Sequence, residues 1–69
     1  MKASVDYWEI ERRYRLKGDS NDKELCKHSG INYHSYKSRR SRNESMNLTV
    51  ALLIADYLEC DIRDFTRLE

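Results

Sequence analysis

Proline is missing from this 69-residue chain, and glycine occurs only at Gly18 and Gly30. So few strong breakers leave long stretches free to coil, and the chain reads as all-helical. Apolar runs are short. None approaches the ~20 residues that a bilayer-crossing helix needs. The N-terminal stretch lacks the apolar core of a signal peptide, so a cytoplasmic location is expected. Cysteine is scarce as well, with Cys26 and Cys60 alone. Under those conditions they read as reduced, small apolar residues rather than a disulfide. Excess charge of one sign is also lacking, since 13 Lys and Arg face 12 Asp and Glu.

What is present is charge sorted by position. After Glu24 the next acidic residue is Glu44. Between them stand Lys27, Lys37, Arg39, Arg40 and Arg42, with His28 and His34. The C-terminal stretch carries Asp56, Glu59, Asp61, Asp64 and Glu69 against Arg63 and Arg67. A local positive field is what a polyanion meets, so the middle of the chain should attract one and the C-terminal end repel it.

The length fits one domain, 1–69. A first helix is expected from about Val5 to Lys17, capped by Ser4 and ended by Gly18, with Tyr7, Ile10 and Tyr14 on its inner face. Asn21 and Glu24 can open a second helix, Asp22 to about Ser29, burying Leu25 and Cys26. Gly30 accepts the positive φ of a sharp turn. Asn32 can cap a third helix from residue 33 to about 40, anchored inward by Tyr36. The segment Ser41–Asn47 reads as a loop. Asn47 can cap a fourth helix, Leu48 to about Glu59, whose apolar stripe is Leu48, Ala51, Leu52, Ala55 and Leu58, with Ile54 at its edge. Asp61 can cap a last short helix, 62–67, burying Ile62 and Phe65. The expected fold is a compact all-α bundle of five short helices.

Counted from Asp22, residues 22–40 carry an ordered pattern. Leu25 is apolar in the fourth position, Cys26 small in the fifth, Gly30 in the ninth, Ile31 apolar in the tenth and Tyr36 apolar in the fifteenth. This resembles a helix-turn-helix. With LTVALLIADYLECDIRDF downstream, residues 5–68 resemble the lambda-repressor-like, or Cro/repressor, family. Three positions depart from its pattern. Asp22 stands where Gln is frequent, Arg39 where an apolar residue is usual, and Glu59 where glycine usually follows the fourth helix.

The resemblance implies double-stranded DNA as partner, with the third helix in the major groove. On that helix Tyr33, His34, Lys37 and Ser38 fall on one side and are candidates to read base edges. Lys27, Asn32, Arg39, Arg40, Arg42 and Asn43 suit the phosphate backbone. Val50, Leu53 and Tyr57 form a second apolar stripe on the fourth helix. It is either covered within the monomer or is a contact of a homodimer on DNA.

Cys26, His28, His34 and Cys60 have donor atoms for zinc, but their spacing matches no standard finger. No Ser-His-Asp or Cys-His arrangement is set up by position, so no enzyme, cofactor, metal or small-molecule ligand is expected. The implied function is a phage or bacterial transcriptional repressor, either standing alone like Cro or as the DNA-binding piece of a longer protein. The alternative is a protein-interaction module on the same fold, antitoxin-like or another small regulator.

Overall fold

The first and last strands of the described residues pair with one another, and this sets the architecture. In the computed structural model, which describes residues 2–68, strand β1 (Lys2–Val5) leads into α1 (Tyr7–Lys17), α2 (Asp22–Ser29) and α3 (Tyr33–Ser41). Strand β2 (Met46–Asn47), α4 (Leu48–Leu58), a 3-10 turn (Ile62–Asp64) and β3 (Thr66–Leu68) follow. The sheet is antiparallel with order β2-β1-β3. The protein is thus mostly helical, with four α-helices among the described residues. The expected fifth helix is replaced by the 3-10 turn and β3.

Pairing explains the two corrections at the ends. Ser4 and Val5 sit opposite Arg67 and Thr66 in the sheet. The Asp6 N–H then donates to the Phe65 carbonyl at 2.8 Å. The chain is therefore extended through Val5, and the α1 cap falls to Asp6 instead of Ser4, its carboxylate accepting the Glu9 N–H at 3.1 Å. At the far end, Phe65 closes the 3-10 turn, and β-branched Thr66 opens β3, where it favours extended backbone.

Helix ends elsewhere follow local chemistry. Asn21 accepts from Glu24 N–H, Asn32 from Ser35 N–H and Asn47 from Thr49 N–H. The Glu24 carboxylate accepts from Ser20 N–H at 2.6 Å, one residue before the cap that a full capping box would use. Glu59 holds a left-handed backbone at φ 56, the geometry glycine would supply with less strain.

The core gathers Tyr7, Ile10, Tyr14, Leu25, Tyr36 and Phe65, with Cys26 and Met46. Met46 is fully covered although it ends a polar segment; strand pairing turns it inward. On α4 the buried line is Ala51, Ile54 and Ala55. Ile54 is central and Leu52 is half exposed, which corrects the expected stripe by a small rotation of the helix. Cys26 is buried and Cys60 half-buried, and both are free thiols. No helix among the described residues is long and apolar enough to cross a membrane.

Candidate nucleic-acid interface

The candidate surface belongs to α3, so what fixes that helix comes first. Gly30 ends α2 at φ 80, and its N–H and that of Ile31 both donate to the Cys26 carbonyl. Only Gly30, Ile31 and Asn32 separate the two helices, which pack on one another. Tyr36 enters the core and meets the Tyr7 ring edge-on, with centroids 5.7 Å apart. Burial pushes the Tyr36 phenol well above its ordinary range, and the nearby Asp22 carboxylate adds to that. Its hydroxyl has no hydrogen-bond partner.

A charged network completes the fixing. Arg40 donates to Asp22 Oδ2 at 2.7 Å and to Glu11 Oε1 at 2.7 Å, and it pairs with Asp22 Oδ1 at 2.5 Å. Tyr14 donates to the same Asp22 carboxylate at 2.7 Å. Burial, then the hydrogen bond to Asp22, pushes the Tyr14 phenol up to about 12. Burial lowers the Arg40 pKa, but its bonds to Glu11 and Asp22 outweigh this and raise it. Hydrogen bonding to Arg40 in turn holds Glu11 below the usual carboxylate range. The network ties α3 to α1 and α2.

This placement corrects the expectation that Arg40 faces phosphate, because its guanidinium is turned inward and matched by two carboxylates. It also accounts for Asp22. A carboxylate at the head of α2 would repel a polyanion if bare, but here Arg40 offsets it.

Three expected base-edge residues line the outward side together. His34 and Lys37 are exposed, and Ser38 is half-buried beside them. Tyr33 leans partly on the core, with its ring 5.7 Å from that of His34. The Lys37 ammonium lies 5.9 Å from the Tyr33 centroid. That distance is at the outer limit of a cation–π contact, so the ammonium remains available. Lys27 is exposed on α2. The Arg39 stem is half-buried and its guanidinium reaches the Ser45 carbonyl at 3.4 Å.

Two expected phosphate ligands have structural work as well. Asn32 caps α3. Asn43 takes a left-handed backbone at φ 52 and ends the helix, its N–H donating to the Arg40 carbonyl and that of Glu44 to Arg39. Asparagine tolerates that conformation better than most residues, which explains its place in the turn.

Comparison with protein-family models, curated proteins and solved structures finds no match to this chain. The reading of the surface therefore stands on its residues.

Beside α3 runs an open groove of about 820 Å³, lined by His34, Ser38, Arg39 and Arg42 and by Ser45 and Asn47. Ser35 and Glu44 also border it. Glu44, Ser45 and Asn47 line this groove although their loop reads from the sequence only as turn and cap.

The expected second stripe on α4 is divided. Tyr57 donates to buried Asp19 at 2.6 Å, its ring lies near His28, and the Lys17 ammonium sits 4.9 Å from its centroid. Burial, then the Asp19 bond, pushes its phenol up to about 12. Val50 packs partly on the core. Leu53 alone of the three stays exposed, at 42%, next to Leu52 at 50%. His28 is engaged with Asp19 at 3.0 Å. Among the described residues no cluster of His, Cys, Asp and Glu has the makings of a metal site.

Proposed function

We propose that this chain is a helix-turn-helix protein that binds double-stranded DNA sequence-specifically, with α3 in the major groove. The carrying observation is the division of α3. Tyr36 and Arg40 lock one side to the body, while His34, Lys37 and Ser38 project together from the other. A rigid rod with a polar, cationic edge and no carboxylate of its own suits the major groove. His34 can donate or accept, Lys37 can reach guanine O6 and N7, and Ser38 can do either. Tyr33 offers its ring edge to a thymine methyl. Lys27, Arg39 and the Asn32 amide flank this edge and suit phosphates, which give affinity without reading sequence.

By this reading the protein represses transcription in a bacterial or phage setting by occupying an operator. Leu53, with Leu52 beside it, is the dimer contact, and paired half-sites lie about one helical turn apart. Leu53→Asp then lowers the mass in solution and weakens operator binding. An unchanged mass with unchanged affinity removes the dimer from the account.

The test of DNA binding is its salt dependence on unrelated duplex. Lys27 and Arg39 from each of two protomers make four cationic phosphate contacts, which give a log–log slope of about −3.6, or a roughly hundredfold loss of affinity between ~50 and ~200 mM salt. Weak, salt-insensitive binding favours the second reading, a protein-interaction module. That reading draws on Trp8 and Leu16, 75% and 77% exposed and eight residues apart on α1.

A further inference from the structure

His34, Ser38 and Arg42 stand at i, i+4 and i+8 along one line of α3 and its cap. Helical side chains lean toward the N-terminus of their helix. Arg42 follows that rule, with a terminal guanidinium nitrogen donating to Ser38 Oγ one turn back. Its Nε lies 3.1 Å from a Glu44 carboxylate oxygen. The guanidinium is thereby drawn along the outward side, toward the helix end expected to enter the groove.

Glu44 is a firm mount for this contact. Its N–H donates to the Arg39 carbonyl at 2.9 Å, and its own carbonyl accepts from the Tyr7 hydroxyl at 2.7 Å. Tyr7 is a core residue. The backbone of Glu44 is therefore tied both to α3 and to the interior, although its side chain is open to solvent.

A phosphate contact needs only a charge within reach, and a loose side chain serves it well. Arg42 is arranged differently. Its Nε is paired with Glu44, and one terminal nitrogen donates to Ser38 Oγ. Further N–H groups remain on both terminal nitrogens, enough to offer a fork of two donors. That pair matches O6 and N7 of guanine in the major groove.

We infer that Arg42, aimed by Glu44 as a positioning residue, reads a guanine base and does not serve as a phosphate clamp. The inference rests on the DNA-binding reading above and names a specificity residue within it.

The test is selection of bound sites from a random duplex pool with the full chain, followed by competition binding. The wild-type chain should enrich a site containing a fixed G·C pair. Arg42→Lys keeps the charge and loses the fork. It should reduce preference at that one pair roughly ten- to hundredfold, with affinity for unrelated duplex within about twofold. Glu44→Gln should relax preference at the same pair, and Glu44→Asp should restore part of it. Circular dichroism of each variant checks that the fold is kept.

If Arg42→Lys leaves every position of the consensus intact, or lowers specific and unrelated binding alike, Arg42 is not the reader. A consensus that ignores both Arg42→Lys and Glu44→Gln overturns this inference while leaving the DNA-binding reading standing. A wild-type chain that selects no consensus overturns both.

Discussion

The two sides of α3 are built from similar residues and treated oppositely by the fold. Arg40 and Arg42 are two positions apart. Arg40 is about a quarter exposed and bound to Asp22 and Glu11, whereas the Arg42 side chain is 66% exposed. Tyr36 is sealed in the core, and its neighbour Lys37 stands in solvent. The contrast teaches that a count of positive charges on a segment overstates the field it offers. One of the five charges between Glu24 and Glu44 is matched by two carboxylates at a half-buried site and holds the helix in place.

The comparison breaks most visibly at Arg40. Arg40→Leu leaves Asp22 and Glu11 facing one another without their shared cation. It should destabilise the fold by about 2–4 kcal/mol, the sites being partly screened by solvent. Urea unfolding measures this. A loss under about 0.5 kcal/mol would mean that the inward side is no more anchored than the outward one.

The outward side should show the reverse pattern. His34→Ala and Lys37→Ala are each expected to cost about 1–3 kcal/mol in binding to a selected site. Their unfolding midpoints should stay at the wild-type value. Equal losses on selected and unrelated duplex would reduce these residues to general electrostatic contacts.

A smaller effect sharpens the inward side. The Tyr36 hydroxyl is buried and unpaired, so Tyr36→Phe removes a desolvation penalty while keeping the ring. A gain of about 1 kcal/mol in stability is expected from thermal or urea unfolding. A clear loss would show that the hydroxyl has a partner in solution.

The smallest effect is a pH dependence. Glu11 is held below its ordinary value of 4.5, chiefly by its bond to Arg40. A carboxylate depressed in the folded state adds stability above its unfolded pKa. That contribution fades as pH falls through the depressed value. Acid titration of stability should therefore slope downward below about pH 5, and more shallowly in Arg40→Leu. An identical slope in both would sever Glu11 from Arg40.

Local signals were legible in the sequence, and long-range ones were not. Asn21, Asn32 and Asn47 open the helices expected of them, because a cap needs only its own next turn. Gly30 likewise marks its turn by backbone freedom alone. The Arg40 network joins residues 18 and 29 positions apart, and no spacing rule connects them. The sheet was hidden for a related reason. Its strands span two to four residues, too few for alternation to stand out, and their pairing links the two ends of the chain. On α4, two apolar stripes competed, and periodicity alone does not rank Ile54 above Leu52. Packing does, by seating Ala51, Ile54 and Ala55 in the interior.

The most direct measurement is amide chemical-shift mapping of the labelled chain titrated with duplex DNA. Perturbations concentrated on Lys27 and on residues 32–39 and 42–45, with α1 quiet, are what an outward-facing α3 predicts. Perturbations confined to the neighbourhood of Trp8 and Leu16, or none at low salt, would contradict it.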